Sequence, residues 1–254
     1  MTGKLLLRGM LVGILAGLLA FGFARVFGEP EVDRAIAFEE QHASMHEVDE
    51  AANGVAAHDH DHEEELVSRE VQASFGLLTG VVVYSASMGG LFALVFAYAL
   101  GRVGRIGPRS LGALLALAAF LSLYLVPSLK YPANPPSVGD PESIQRRTAL
   151  FFLMIAVSVA AAAIAVNFAR RLIARHGAWS GSLAGVALYL LVCAVAAGLF
   201  PAVREVPADF PADLLWQFRL VSLGIQAILW STLGLVFGWW VERSLVRPGR
   251  YALA

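Results

Sequence analysis

Five of the six histidines in this 254-residue chain lie in one short segment, residues 42–62. At the end of that segment imidazoles and carboxylates alternate, and three glutamates follow. Neutral imidazole suits cobalt, nickel, copper and zinc, whereas carboxylates add negative charge with little selectivity. The tract therefore predicts capture of a divalent transition metal, with these residues as ligands: His58, Asp59, His60, Asp61 and His62.

A second group of the same residue types precedes this tract. Glu39, His42, His46 and Glu50 are separated by three or four positions, so on a helix they share one face. We expect residues 31–50 to form an amphipathic helix, on which His42 and His46 are further metal ligands in a half-formed site. The alternative is a solvated acidic loop with incidental histidines, but their concentration in this segment favours metal binding.

The rest of the chain is strongly apolar, with 57% hydrophobic and 15% charged residues, against about 45–50% and 25% in a soluble domain. A membrane-spanning helix needs about 20 apolar residues. The runs without Asp, Glu, Lys or Arg are residues 9–24, 71–101, 110–129, 148–169, 177–203 and 220–241. Because Arg8 and Arg25 can extend their charges to the membrane surface, the first run also reaches sufficient length.

These runs predict an all-α integral membrane fold with six transmembrane helices. Residues 1–28 would form the first transmembrane helix, residues 29–74 a long His/acid-rich extracytoplasmic loop, and residues 75–254 helices 2 to 6 with short loops. Residues 1–27 could instead be a cleaved signal peptide, but the apolar run is long and the sequence near Gly28 is a poor cleavage site.

The charges predict the orientation. With both termini in the cytoplasm, the inside segments hold 11 basic residues and one acid, Glu242. Basic residues near helix ends favour the cytoplasmic side, so we expect residues 29–74 to lie outside.

Two proline-containing loops indicate an internal repeat. Residues 125–136 and 199–211 both place a proline at a helix end, a basic residue three positions later, and a Pro-Ala-Asn/Asp turn. Gln145-x-Arg147 and Gln217-x-Arg219 then open the next helices. The hypothesis is three tandem hairpins, which pair helices 1 and 2, 3 and 4, and 5 and 6. The alternative is that membrane interfaces favour Pro and Asn in any case.

No carboxylate lies deep within any span, although intramembrane polar groups usually mark an ion's path. The neutral candidates are Tyr84, Ser85, Ser87, Met88, Ser122, Tyr124, Ser158, Asn167 and Gln226. A serine in a helix more often bonds its own backbone, whereas Asn167 and Gln226 are more suggestive.

Small residues recur at four-residue spacing in three of the spans. The glycines concerned are Gly9, Gly13 and Gly17, Gly76 with Gly80, and Gly234 with Gly238. This spacing lets helix backbones approach closely, and packing within the bundle is favoured over packing between subunits.

Several functions are excluded. A single cysteine, Cys193, cannot form an intrachain disulfide framework or a cysteine-based zinc site, and no P-loop motif is present. A net charge of −1 gives no general attraction to nucleic acid. A membrane metalloenzyme of the desaturase type needs several cytoplasmic histidine boxes, whereas His42-x-x-x-His46 is the only one and faces outside. We therefore expect no enzymatic activity.

Several segments resemble the CbtA family of predicted cobalt transporter subunits. They are residues 6–21, residues 28–40, the His/Asp tract, Lys130-Tyr-Pro-Ala-Asn-Pro-Pro136 with Val138-Gly-Asp-Pro141, and Trp216-Gln-Phe-Arg-Leu-Val-Ser-Leu-Gly-Ile-Gln226. The resemblance covers essentially the whole chain. It implies a bacterial inner-membrane protein associated with cobalamin biosynthesis, with Co²⁺ as substrate and a small, one-helix, His-containing partner called CbtB.

The function expected from these features is Co²⁺ uptake, in which the outer loop captures the metal and the helix bundle conducts it inward. Ni²⁺ or Zn²⁺ could take the place of Co²⁺. The alternative is a membrane-anchored sensor or delivery protein for divalent metal, which does not itself transport. Besides the metal and CbtB, the only partner expected is the lipid bilayer.

Overall fold

The computed structural model describes residues 2–52, 68–104, 106–136, 138–139 and 141–245. Within those residues the chain is helical and has no strand. Six of its helices are long and apolar enough to cross a membrane, which confirms the six-helix integral membrane fold.

The first three membrane helices each contain a π-helical turn. Helix α1 comprises Thr2–Phe23, the π turn Ala24–Gly28 and Glu29–Ala52. Helix α2 comprises Arg69–Val71, the π turn Gln72–Gly76 and Leu77–Ala99. Helix α3 comprises Pro108–Ala119, the π turn Phe120–Leu125 and Val126–Lys130.

The last three membrane helices follow a single 3₁₀ turn, Pro141–Ser143. Helix α4 is Ile144–His176 and helix α5 is Ala178–Leu199. Helix α6 comprises Ala212–Thr232, the π turn Leu233–Phe237 and Gly238–Leu245.

Two of the π turns precede a proline inside a helix. Pro30 follows the turn Ala24–Gly28, and Pro127 follows the turn Phe120–Leu125. Proline has no amide hydrogen, so a carbonyl one turn earlier loses its usual partner, and a π turn is a common local adjustment. Both helices thus continue through proline instead of ending there.

The helix predicted for residues 31–50 is present, but it is not a separate element. The segment Glu29–Ala52 continues α1 out of the apolar region without a break. Part of the expected long loop is therefore a helical extension of the first membrane helix. We call the end of the bundle with this extension the loop end, and the opposite end, near Thr2 and Leu245, the termini end.

Glycines allow the closest helix contact, between α1 and α2. A Cβ atom at Gly9 or Gly13 would overlap the carbonyl oxygens of Gly89 and Ser85, respectively. Gly17 also faces α2, where its nearest neighbours include Ser85. The GxxxG pattern of α1 therefore serves packing within the bundle, as expected.

Small residues also join α4 to α5 and α3 to α6. On α5, Gly181 and Gly185 lie against Ile173 and Ala169 of α4. On α6, Gly234 and Gly238 lie against α3 in the same way. The link between α4 and α5 is Gly177 alone, with a φ of +86°, so these two helices must be antiparallel neighbours.

This packing corrects one part of the repeat hypothesis. Helix α5 packs along α4, and α6 packs against α3 and α1, so the expected pairing of helices 5 and 6 is wrong. The single-residue link at Gly177 forces α4 and α5 together, whereas the longer connection after Leu199 lets α6 join another neighbour. Whether Pro127 and Pro201 occupy equivalent places in a repeat stays a prediction.

Helices α1, α2, α3 and α6 surround a common apolar core toward the termini end. At its centre, the ring of Phe237 meets those of Phe96 and Phe92 edge to face, with centroid distances of 5.1 and 5.6 Å. Val12 of α1 and Leu111 of α3 complete the same buried cluster. This half of the four-helix group is closed.

Candidate functional site

A cavity of about 850 Å³ opens at the loop end of the bundle. Every membrane helix except α2 and α5 contributes to its wall, as do the two loops that carry prolines. Its lining includes Glu39 of α1, Tyr124 of α3, Arg147 and Phe151 of α4, Arg219 of α6, the loop segment 131–136, and Glu205. This volume lies in the range typical of small-molecule sites.

The proline-rich loop 131–136 is held in place by side chains from other elements. Arg219 donates from Nε to the carbonyl oxygen of Ala133 (3.2 Å) and from Nη2 to Oδ1 of Asn134 (3.0 Å). The Tyr131 hydroxyl donates to the carbonyl oxygen of Pro201 (3.0 Å), which joins the two proline-containing loops. Because prolines supply no amide donors, these side chains are needed to fix the loop.

The two arginines of the cavity are in different electrostatic situations. Arg147 Nε lies 3.1 Å from Oε2 of Glu205, and both side chains are largely buried, at 25% and 20% exposed. Arg219 forms no ion pair with the part of the chain that the structure describes, and its named acceptors are neutral oxygens. One positive charge of the wall is therefore compensated by a carboxylate, and the other is not.

Tyr131 lies outside the membrane-spanning segments, next to the end of α3. Burial raises the pKa of its phenol above the ordinary value, and the positive charge of Arg146 lowers the pKa in opposition. The hydroxyl consequently stays protonated at neutral pH and remains a donor to Pro201.

Charged pairs attach the extension of α1 to its neighbours. Arg69 of α2 contacts Glu29 (2.5 Å) and Asp33 (3.0 Å), while Arg34 contacts Glu31 (3.0 Å) and Asp213 of α6 (3.2 Å). Farther out, the rings of Phe38 and Phe210 meet edge to face, with their centroids 5.1 Å apart. These contacts fix the direction of the helix that carries the predicted metal ligands.

Among those predicted ligands, His42 is in contact with an acid. Its Nε2 atom lies 3.2 Å from Oδ2 of Asp209, in the loop before α6, and its ring lies 4.2 Å from that of Phe38. Glu39, one turn closer to the bundle on the same helix, lines the cavity. The imidazole of His42 is thus placed beside the mouth of the cavity.

The other predicted ligands are not brought together in the described structure. His46 follows His42 by one turn on the same helix, and its side chain lies outside the described part. His58, Asp59, His60, Asp61 and His62 also lie outside the described residues. Within the described ranges, no three His, Cys, Asp or Glu side chains form a group that could hold a metal. The metal site therefore stays a prediction.

Several polar residues of the spans have local hydrogen-bond partners. Ser87, Ser122 and Asn167 each donate to the carbonyl oxygen four residues earlier on their own helix. Ser158 instead bonds Tyr189 of α5 at 2.9 Å. These four residues are accounted for by the structure of the bundle, as expected for most of them.

Two other candidates extend the polar surface of the cavity into the bundle. Tyr124 donates to Ser222 of α6 at 2.9 Å, and Tyr84 of α2 is hydrogen-bonded to Gln226. Arg219, Ser222 and Gln226 are spaced by three and four residues, so they share one face of α6. Together they extend over about 10 Å along the helix axis, from the loop end toward the termini end. We call these three residues the polar column.

Sequence reasoning missed Asp209, Glu205 and the role of the two arginines. The sequence presents Gln145-x-Arg147 and Gln217-x-Arg219 only as marks of a repeat, but both arginines reach the same cavity. A usable signal is present in the sequence, because an arginine next to an apolar run is costly to place near the membrane unless it has a role.

Six spans, with a cavity at one end and a closed apolar core at the other, define a multi-pass membrane protein. The chain belongs to the CbtA family, because the model of that family, described as a probable cobalt transporter subunit, matches residues 2–242. Membership confirms the resemblance inferred from the sequence, and transporter subunits are generally not enzymes. No curated protein and no solved structure matches the chain significantly.

Proposed function

We propose that this protein is the membrane subunit of a Co²⁺ uptake transporter in the bacterial inner membrane. Its family is described as a probable cobalt transporter subunit. The excess of basic residues in the segments at the termini end supports an orientation with both termini in the cytoplasm and residues 29–74 outside. Metal would therefore enter from the loop end and leave at the termini end.

Capture is assigned to the outer histidines and their acidic neighbours. The observation that carries this assignment is the continuity of α1, which holds His42 beside Asp209 and Glu39 at the wall of the cavity. The proposed ligands are His42, His46, His58, Asp59, His60, Asp61 and His62. A metal bound there is concentrated next to the cavity instead of in bulk solution.

Conduction is assigned to the cavity and the polar column. Between Gln226 and the termini end, the apolar core of Phe92, Phe96 and Phe237 blocks the passage of an ion. This arrangement is that of a carrier open to the loop end. Release on the other side requires the four-helix group of α1, α2, α3 and α6 to open, which is a rearrangement typical of transport by alternating access.

The proposed partner is the small one-helix, His-containing subunit CbtB, and the proposed cargo is Co²⁺, with Ni²⁺ or Zn²⁺ as competitors. Imidazole ligands do not by themselves distinguish these ions. Competition between radioactive Co²⁺ and unlabelled Ni²⁺ or Zn²⁺ measures the selectivity.

A sensor or delivery protein is the second candidate function. The closed apolar core supports this function, since a bundle that only anchors the outer ligands in the membrane needs no path for an ion. In that case the protein binds metal at the loop end and hands it to another protein.

Uptake of radioactive cobalt separates the two functions. Cells expressing this chain, with and without CbtB, should accumulate Co²⁺ above cells without the chain, and His42→Ala should reduce the uptake. His176→Ala is the matched control, because His176 is exposed at the far end of α4, remote from the outer histidines. Metal binding to the purified protein without any uptake, in the presence of CbtB, would favour the sensor.

A further inference from the structure

The guanidinium of Arg219 is a positive charge in the wall of the cavity, and no carboxylate among the described residues forms an ion pair with it. Its hydrogen bonds go to the carbonyl oxygen of Ala133 and the amide oxygen of Asn134. The other arginine of the wall, Arg147, lies against Glu205. A cation bonded only to neutral oxygens attracts an anionic group, because carboxylates form stronger hydrogen bonds with guanidinium than neutral acceptors do.

Arg219 lies deep in the cavity. Gly28 of α1 is level with Val221 of α6, since a Cβ at Gly28 would contact the Val221 side chain. Arg219 is therefore near the level of the π turn Ala24–Gly28, while Glu39 is about three helical turns farther out. Glu39 therefore lies toward the mouth of the cavity, and the guanidinium of Arg219 lies nearer the spans, where the surrounding protein reduces the dielectric constant and strengthens electrostatic attraction.

The size and lining of the cavity fit an organic molecule better than a bare ion. Its volume is about 850 Å³, and Tyr124, Tyr131, Phe151 and the loop prolines contribute rings to the wall. Small-molecule sites combine an apolar lining with a few oriented polar groups. A bare divalent cation, in contrast, prefers several carboxylate, carbonyl or imidazole ligands at close range.

We propose that the cavity binds the cobalt ion as its complex with a small organic polycarboxylate, and that a carboxylate oxygen of this complex accepts hydrogen bonds from Arg219. This inference rests on the proposed uptake function. It also agrees with the composition of the spans, because a chelator neutralises the metal charge and removes the need for deep carboxylates.

The test uses cobalt(II) citrate as the probe. Cells expressing the full chain with CbtB receive radioactive cobalt at constant free Co²⁺ activity, while the concentration of cobalt citrate is raised. Uptake should then rise with cobalt citrate. Titration calorimetry on the purified full chain measures the binding of cobalt citrate, of citrate alone and of aqueous Co²⁺.

Three variants test whether the charge of Arg219 recognises the ligand. Arg219→Gln should raise the half-saturating cobalt citrate concentration about tenfold or more, since it removes charge-assisted bonds. Arg219→Lys keeps the charge and should retain part of the affinity. Arg204→Gln is the matched control, because Arg204 is exposed at the loop end and does not line the cavity.

The possible results show separately whether the binding of a cobalt complex or the uptake function is wrong. If uptake follows free Co²⁺ alone, or if Arg204→Gln is as harmful as Arg219→Gln, the inference is wrong and the uptake function stands. Equal binding of citrate alone and cobalt citrate would also refute the metal complex as ligand. If no cobalt is taken up in any form, but cobalt citrate binds in an Arg219-dependent way, the uptake function fails and the binding site stands.

Discussion

The imidazole of His42 and the carboxylate of Asp209 are in direct contact, with Nε2 and Oδ2 3.2 Å apart. His42 belongs to the extension of the first membrane helix, and Asp209 belongs to the loop before the last one. The pair therefore joins the extension of α1, which carries the first of the predicted metal ligands, to the loop before α6. An acid next to an imidazole can orient it as a ligand or can itself bind a metal.

We predict that His42→Ala and Asp209→Asn both weaken cobalt uptake. Loss of a ligand or of the group that orients it typically lowers metal affinity or activity about 10- to 100-fold. The measurement is the initial rate of radioactive cobalt uptake over a range of concentrations, at matched protein levels. Because His42 is close to the entrance, the maximal rate should fall as well. Unchanged uptake kinetics in both variants would show that this pair is not part of the entry site.

Replacement of His58, His60 and His62 by Ala should act differently. We expect the cobalt concentration for half-maximal uptake to rise while the maximal rate stays nearly intact, because the tract concentrates metal and does not conduct it. Loss of all uptake at saturating cobalt would place the tract on the obligatory path. No change at any concentration would support the solvated-loop alternative.

Capture by the outer histidines should also depend on pH. Protons compete with metal for neutral imidazole, whose ordinary pKa is about 6.5. The half-saturating cobalt concentration of the wild type should therefore rise as the pH falls from about 7.5 to 5.5, and that of the triple variant should rise less. Parallel pH profiles for the two proteins would contradict a role of the tract in capture.

Glycine at the contact of α1 and α2 should be essential for stability. Gly13→Leu should destabilise the protein by at least about 1–3 kcal/mol, since its Cβ would overlap the backbone of Ser85. Gly80→Leu is the matched control, because a Cβ at Gly80 meets no described atom within 4 Å. Thermal unfolding in detergent measures both. Equal melting temperatures would mean that α1 and α2 do not pack closely through Gly13.

The proposed orientation can be tested by cysteine labelling in intact cells. In a Cys193→Ala background, a cysteine at position 56 should react with a membrane-impermeant reagent, and one at Gly107 should be protected. Cys193 is buried, so its removal should leave the surface unchanged. Protection at position 56 with labelling at position 107 would mean that the orientation is opposite to the one proposed.

The sequence alone determined the number and the approximate position of the membrane helices. Transfer of an apolar segment into the bilayer depends on its own side chains and backbone hydrogen bonds, so each uncharged run predicts one span without knowledge of its neighbours. The helix of residues 31–50, though not its continuity with α1, and the packing role of Gly9 and Gly13 are local properties of the same kind. All were visible in the spacing of residues along the chain.

The tertiary structure decided which helices are neighbours and which side chains meet. Association of helices in lipid depends on close packing and on a few polar contacts, which act only between surfaces already facing each other. The sequence therefore did not show that α5 pairs with α4 instead of α6. For the same reason, the contact of Asp209 with His42 and the placement of Arg147 and Arg219 in one cavity followed only from the three-dimensional arrangement.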